Sequence, residues 1–171
     1  NKLSELEGLT PPYTVNGTSI EWNRTSNGYR LPTSAEWEYF ARAGTTDNTY
    51  AGISDGKDPN AVIDPIAWYR ENSIDSTGVR SSRPVGQKLP NAWGIYDVLG
   101  NIGERCFESP STYTSDAAID PWSGFQLTSV IVRGGHFINP SDDCYSSDYL
   151  TVNDSTSAGT AASGFRVVRT R

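Results

Sequence analysis

From Thr45 to Pro90 the chain is so dense in Gly, Asp, Asn, Ser and Pro that no long regular element fits there. Each of these residues favours a turn: glycine and asparagine accept left-handed backbone, proline fixes φ, and Asp and Ser side chains bond back to nearby backbone. The one apolar cluster in the stretch is "IAWYREN", so the pattern predicts long loops pinned by Trp68 and Tyr69. Hydrophobic residues make up 36% and charged residues 20%, with 16 Gly and 10 Pro. That make-up suits a loop-rich globular protein and excludes a helical bundle. A chain of 171 residues is long enough to bury a proper core, and it reads as a single domain over 1–171. It opens on "NKLSELEGLT", without Met and already in a helical pattern, so an N-terminal portion is expected to be missing.

Local signals are clearest in "GYRLPTSAEWEYFARAGTT". Thr33 followed by Glu36 forms a capping box, and Trp37, Phe40 and Ala41 fall at helical spacing. A helix is expected from Ser34 to Ala43, closed by Gly44, and a shorter one from Lys2 to Glu7, ending at Gly8. "VIVRGG" and "GFRVVRTR" are β-type runs. They bracket a long polar insertion and are expected to pair, with the insertion displayed outward as a loop.

The net charge is −6 and the Lys and Arg residues are scattered, so no basic stripe exists for nucleic acid or an anionic membrane. No apolar run approaches membrane-spanning length. A single His and the absence of a G-x-S-x-G elbow argue against a zinc site and a hydrolase triad, and His136 is expected to be an exposed, ordinary residue. Arg80, Arg83 and Lys88 are expected to be solvated cations. Cys106 and Cys144 permit either one disulfide or two free thiols.

"NGYRLPTSAEWEYFARAG", "PVGQKLPNAWGIYDVLGNIGE", "VRGG" and "GFRVVR", in this order and spacing, resemble the formylglycine-generating enzyme and sulfatase-modifying factor family. The resemblance covers nearly the whole chain and implies an α+β, C-type-lectin-like fold with little regular secondary structure. Enzymes of that family hold copper with two thiolates, at places matched here by Asn139 and Cys144. One thiolate is therefore gone, and a soft Cu(I) site needs both, so no copper is expected. The usual tryptophans of a "GNVWEWC"-like motif are also replaced, by Gly103 and Arg105 in "GNIGERC". The copper-dependent oxidase reading, with Cys106 as its only substitute ligand, stays as the alternative.

A second branch of the family is similar in another respect: retroelement-diversified variable proteins of the Treponema variable protein type. Adenine mutagenesis of Asn codons cannot reach Lys, Glu, Gln, Trp or Met. None of these occurs in the 28 residues from His136 to Ser163, whereas three Lys, eight Glu, two Gln and five Trp lie elsewhere. The resemblance thus implies a non-enzymatic binding module whose variable segment covers about 134–166. His136, Ile138, Asn139, Asp142, Asp143, Tyr145, Ser146, Asp148 and Tyr149 are its expected ligand contacts. Tyr supplies rigid amphipathic area there, while Asp, Ser and Asn add short polar groups. Phe137 is expected to plug the core, and Gly134, Gly135, Gly164, Phe165 and Arg166 to anchor the segment's ends. The expected partner is a protein, or else a glycan, met outside a bacterial cell, with a lipid anchor upstream as one option. The bland alternative is a solvated acidic loop.

The family's structural calcium set is matched by Asp97, Gly100, Ile102 and Glu104, hard oxygen donors on a glycine-bearing turn. The resemblance implies a bracing Ca²⁺ there; a helix cap at Asp97 with Glu104 solvated is the alternative. A second family calcium site is weakened, with Thr77 where an acid is expected. The family also implies that Cys106 and Cys144 lie near each other.

Overall fold

The computed structural model describes residues 1–52, 58–111, 119–153 and 162–170. The low-complexity run of the variable segment falls largely at 154–161, outside them. The centre is a four-stranded sheet in the order β6-β5-β4-β7, with β4 Gly103–Arg105, β5 Val130–Arg133, β6 Tyr149–Val152 and β7 Ser163–Gly164. β5 runs antiparallel to β4 and β6, and β7 joins β4 in parallel. A hairpin of β1 Tyr13–Asn16 and β2 Ser19–Trp22 and a short pair of β3 Tyr29–Arg30 with β8 Val168–Arg169 complete the strands. Among the described residues three helices, α1 Lys2–Leu6, α2 Ser34–Arg42 and α3 Pro59–Ile63, account for the α part of this α+β architecture.

The two β-runs that bracket the polar insertion do not pair with each other. β4 lies between β5 and β7, and the "GFRVVR" run goes on to meet β3 near the N-terminus. All four residues of β5 are buried, so it needs a neighbour on both edges, and one of them, β6, comes from within the insertion itself. Among the described residues, what reads as one long loop contains a turn, a 3₁₀ segment at Ser141–Cys144 and a strand.

Helix α2 starts as its sequence dictates: Glu36 N–H donates to Thr33 Oγ1, and the Glu36 carboxylate accepts from Thr33 N–H. It ends one residue sooner than expected, with Ala43 rather than Gly44 as the left-handed cap. Trp37 and Ala41 are fully buried and meet Ile63, Tyr69, Leu99, Ile131 and both cysteines in one core. Phe137 is buried as expected, held by a 2.7 Å hydrogen bond from Ser73 Oγ to its carbonyl. Arg83 and Lys88 are not simply solvated: the guanidinium and the ammonium both lie over the Trp68 indole, 5.6 and 4.0 Å from a ring centroid. Phe165 is 69% exposed and anchors nothing by packing.

Both cysteines are free and fully buried, so the bridged alternative does not hold in this structure. Their thiols are fixed on different elements: Cys106 N–H bonds to Ile131 at the end of β4, and Cys144 closes the 3₁₀ turn against Gly135. Burial pushes the Cys144 thiol up to about 12 and raises Cys106 as well.

Candidate functional site

Arg133 is the residue on which the polar segment is built. It closes the apolar β5 run and is only 3% exposed, yet nearly all its donors are engaged. Nη1 bonds to the carbonyls of Ser146, Ser147 and Asp148 at 3.3, 2.7 and 3.0 Å. Nε reaches Ser34 Oγ at 2.9 Å and Nη2 reaches Glu38 Oε2 at 2.6 Å, both on α2. One guanidinium thus ties the 146–148 backbone to the first turns of the helix, with its charge compensated by Glu38.

Next to it Gly134 and Gly135 take φ of +87° and +67°. A Cβ on Gly134 would lie 2.6 Å from the Val98 carbonyl, and one on Gly135 would lie 2.7 Å from Cys144 Sγ. Only glycine supplies both the conformation and the space. The chain then turns at His136, where Asn139 Oδ1 accepts from His136 N–H at 3.0 Å and Asn139 Nδ2 donates to Asp143 Oδ2 at 2.8 Å. Asn139 is therefore a clasp of the turn rather than a free contact residue.

The expected ligand contacts divide into two groups. Ile138, Asp142, Asp143 and Tyr149 are exposed, Ile138 at 49% and Tyr149 at 43%, and Asp148 is partly exposed beside them. Ser146 is completely buried, with its N–H on Asn48 O at 2.8 Å, and cannot touch a ligand. Tyr145 is half-buried and packs on the core, so its ring is mainly structural. His136 is half-buried too, not freely exposed: its Nδ1 accepts from Ile138 N–H at 3.2 Å, and burial lowers its pKa, against the pull of Asp143. Burial also raises the Asp148 carboxyl. Between β6 and the 143–148 turn lies an open depression of about 230 Å³ lined by Val132, Gly135, Asp143, Ser147, Asp148, Tyr149 and Leu150. Its acids and Tyr149 are legible from the polar segment alone. Arg133, Ser34, Glu38 and Asn48, which hold it in place, were signalled only by an arginine ending an otherwise apolar run.

At the two places where the family's copper thiolates would stand, Asn139 spends its amide on the turn and Cys144 is buried in the core. In the calcium set the side chains of Glu104 and Asp97 are engaged by protein donors. Glu104 is 7% exposed, and both of its oxygens are taken. Oε2 accepts from Trp37 Nε1 at 2.7 Å and Arg166 Nε at 2.6 Å, and Oε1 accepts from Arg166 Nη2 at 2.5 Å. Asp97 Oδ2 accepts from Gly86 N–H at 2.7 Å. Among the described residues no three His, Cys, Asp or Glu side chains gather as a metal site.

The whole chain, residues 1–171, matches the sulfatase-modifying factor enzyme 1-like domain. It is 29% identical over 155 residues to the formylglycine-generating enzyme of Streptomyces coelicolor, covering 85% of this chain and 48% of that enzyme. It is 35% identical over 137 residues to the chaperone protein LppX of Paenibacillus barcinonensis, covering 63% of this chain and 46% of that protein. The chain therefore spans about half the length of these relatives. Among solved structures, Treponema denticola variable protein 1 superposes with a TM-score of 0.80 at 28% identity, covering 98% of this chain and 65% of its own. CarF shares the fold with a TM-score of 0.67 at 22% identity, covering 98% of this chain and 61% of its own.

Proposed function

The chain belongs to the sulfatase-modifying factor enzyme 1-like family, and from that premise we propose that it is a non-enzymatic binding protein displaying a diversified surface on a lectin-like scaffold. One observation carries this reading: within a single short segment, buried and exposed positions are sharply divided. Arg133, Gly134, Gly135, Cys144 and Ser146 are buried, while Ile138, Asp142, Asp143 and Tyr149 are exposed, the last two at the depression. A domain of marginal stability tolerates replacement at such exposed sites, usually within about 0.5 kcal/mol, and not at the buried ones. A variable protein of Treponema denticola with the same fold supports the reading.

The oxidase alternative lacks its donor set, because neither thiol reaches solvent and no second thiolate stands beside Cys144 in the family's position. The ligand fits best as a protein surface, with Tyr149 as an aromatic anchor and Asp142, Asp143 and Asp148 as polar neighbours; a glycan is the less favoured ligand. We place the protein outside the cytoplasm, on a bacterial surface. Among the described residues no helix is long and apolar enough to cross a membrane.

The test is the nucleotide sequence of this gene in sibling isolates. Substitutions should concentrate between His136 and Ser163, arise only at template adenines, and fall on Ile138, Asp142, Asp143 and Tyr149 more often than on Cys144 and Ser146. Uniform drift along the gene would refute the proposal.

A further inference from the structure

On the reading that the rim is a binding surface, we infer that it captures an extended segment of a protein partner as an added β-strand on the outer edge of β6, with a basic side chain of that segment in the depression. β6 is the last strand of the four-stranded sheet and has β5 on its inner side only. Which of its backbone groups face outward follows from β5. Ile131 donates its N–H to Glu108 O at 3.0 Å and accepts from Cys106 N–H at 2.9 Å, so both its groups point away from β6. Bonded and non-bonded residue pairs alternate along an antiparallel ladder. Thr151 stands opposite Ile131, whereas Leu150 and Val152 stand opposite Val132 and Val130. Leu150 and Val152 therefore bond inward to β5. Thr151 turns its N–H and C=O outward, where they meet no partner among the described residues.

The strand "YLTV" has no charge and no proline to keep another strand away. A polypeptide main chain is what fits such an edge, because it offers a donor and an acceptor at strand spacing. The depression selects the side chain that comes with it. Val132 and Leu150 are register partners, so their side chains share one face of the sheet, and both line the 230 Å³ depression. A residue of the added strand across from Leu150 projects on that same face, about 5 Å away. There it meets Asp143 and Asp148, with Tyr149 alongside. Carboxylates beside an apolar lining match the apolar stem and charged head of Lys or Arg. Arg133, the cation that holds the turn, is itself paired with Glu38. A second copy of the chain is the poorer occupant, because two chains of net charge −6 would bring like-charged rims together. Strand addition also explains how a diversified surface keeps its affinity. The main-chain bonds do not depend on side chains, which leaves Ile138, Asp142, Asp143 and Tyr149 to set specificity.

The test is selection of a displayed library of linear decapeptides on the immobilised protein. Enriched peptides should carry Lys or Arg within a run of β-branched or aromatic residues. In the tightest of them, N-methylation of single backbone amides should weaken binding about tenfold at alternate residues and hardly at those between. Thr151→Pro removes the outward N–H, a change that edge strands tolerate. It should weaken peptide binding at least about tenfold while moving the Tm by no more than about 3 °C. Leu150→Pro breaks the inner ladder and should lower the Tm by on the order of 10 °C. Asp143→Asn combined with Asp148→Asn should abolish the preference for a basic residue and leave the alternating N-methyl pattern in place. A library that yields no binder, binding untouched by Thr151→Pro, or equal destabilisation by the two proline variants would overturn the inference. So would a dimer of the protein that Thr151→Pro dissolves, since the edge would then belong to a second copy. None of these results alters the substitution pattern in sibling isolates, so a failure here is distinct from a failure of the binding reading.

Discussion

Replacing Arg133 by Met should loosen the rim and weaken the whole domain. Methionine keeps an unbranched stem beside Trp37 but removes every guanidinium donor. The carbonyls of Ser146, Ser147 and Asp148, the Ser34 hydroxyl and Glu38 then lose their partner together. Taking one member from a buried ion pair costs about 3–5 kcal/mol. The lower end applies here, because the Glu38 side chain is 30% exposed and keeps a 2.7 Å pair with Arg42. A loss of about 3 kcal/mol in a domain of this size is a drop in Tm of roughly 6–12 °C. Urea denaturation gives the free energy. Amide exchange shows where it goes: Ser146 N–H, bonded to Asn48, and Asp148 N–H, bonded to Tyr145, should lose protection before the rest of β5. Glu38→Gln, which preserves a hydrogen-bond acceptor, should cost much less. A loss under about 1 kcal/mol for Arg133→Met, with unchanged exchange at 146–148, would show that the clasp does not organise the rim.

Two further predictions concern the segment itself. Tyr149→Ala should change stability by less than about 0.5 kcal/mol, whereas Tyr145→Ala should cost about 1–2 kcal/mol by removing a ring from the core, as read by urea midpoints; equal costs would contradict the assignment of Tyr149 to the surface. His136 has a folded pKa below its ordinary value of 6.5, so its neutral form is favoured in the fold, and this contribution is full above 6.5 and is lost as pH falls through the folded pKa. Asp148 works in the opposite sense, since its raised carboxyl makes the charged form a cost at neutral pH that acid relieves. An NMR titration should find the His136 ring titrating below 6.5, and His136→Gln should flatten the acid-side fall in stability; a ring that titrates above 6.5 would reverse the sign.

The amino-acid sequence by itself determined the family, the α+β class, the start of α2 and the location of the polar segment. These depend on short-range chemistry: a Thr33–Glu36 capping box, glycines that turn, and motifs kept in order. The β1–β2 hairpin at "VNGTS" and α3 behind Asp58–Pro59 follow from the same local rules. Tertiary structure alone decided that β5 borrows a neighbour from within the displayed segment, that Ser146 and Tyr145 turn inward while Tyr149 turns outward, and that Arg133 and Arg166 pair with carboxylates on distant elements. The physical reason is that burial and charge compensation are settled between residues as far apart as Glu38 and Arg133, or Glu104 and Arg166. No window along the chain contains both partners, so the outcome appears only once the sheet has brought them together.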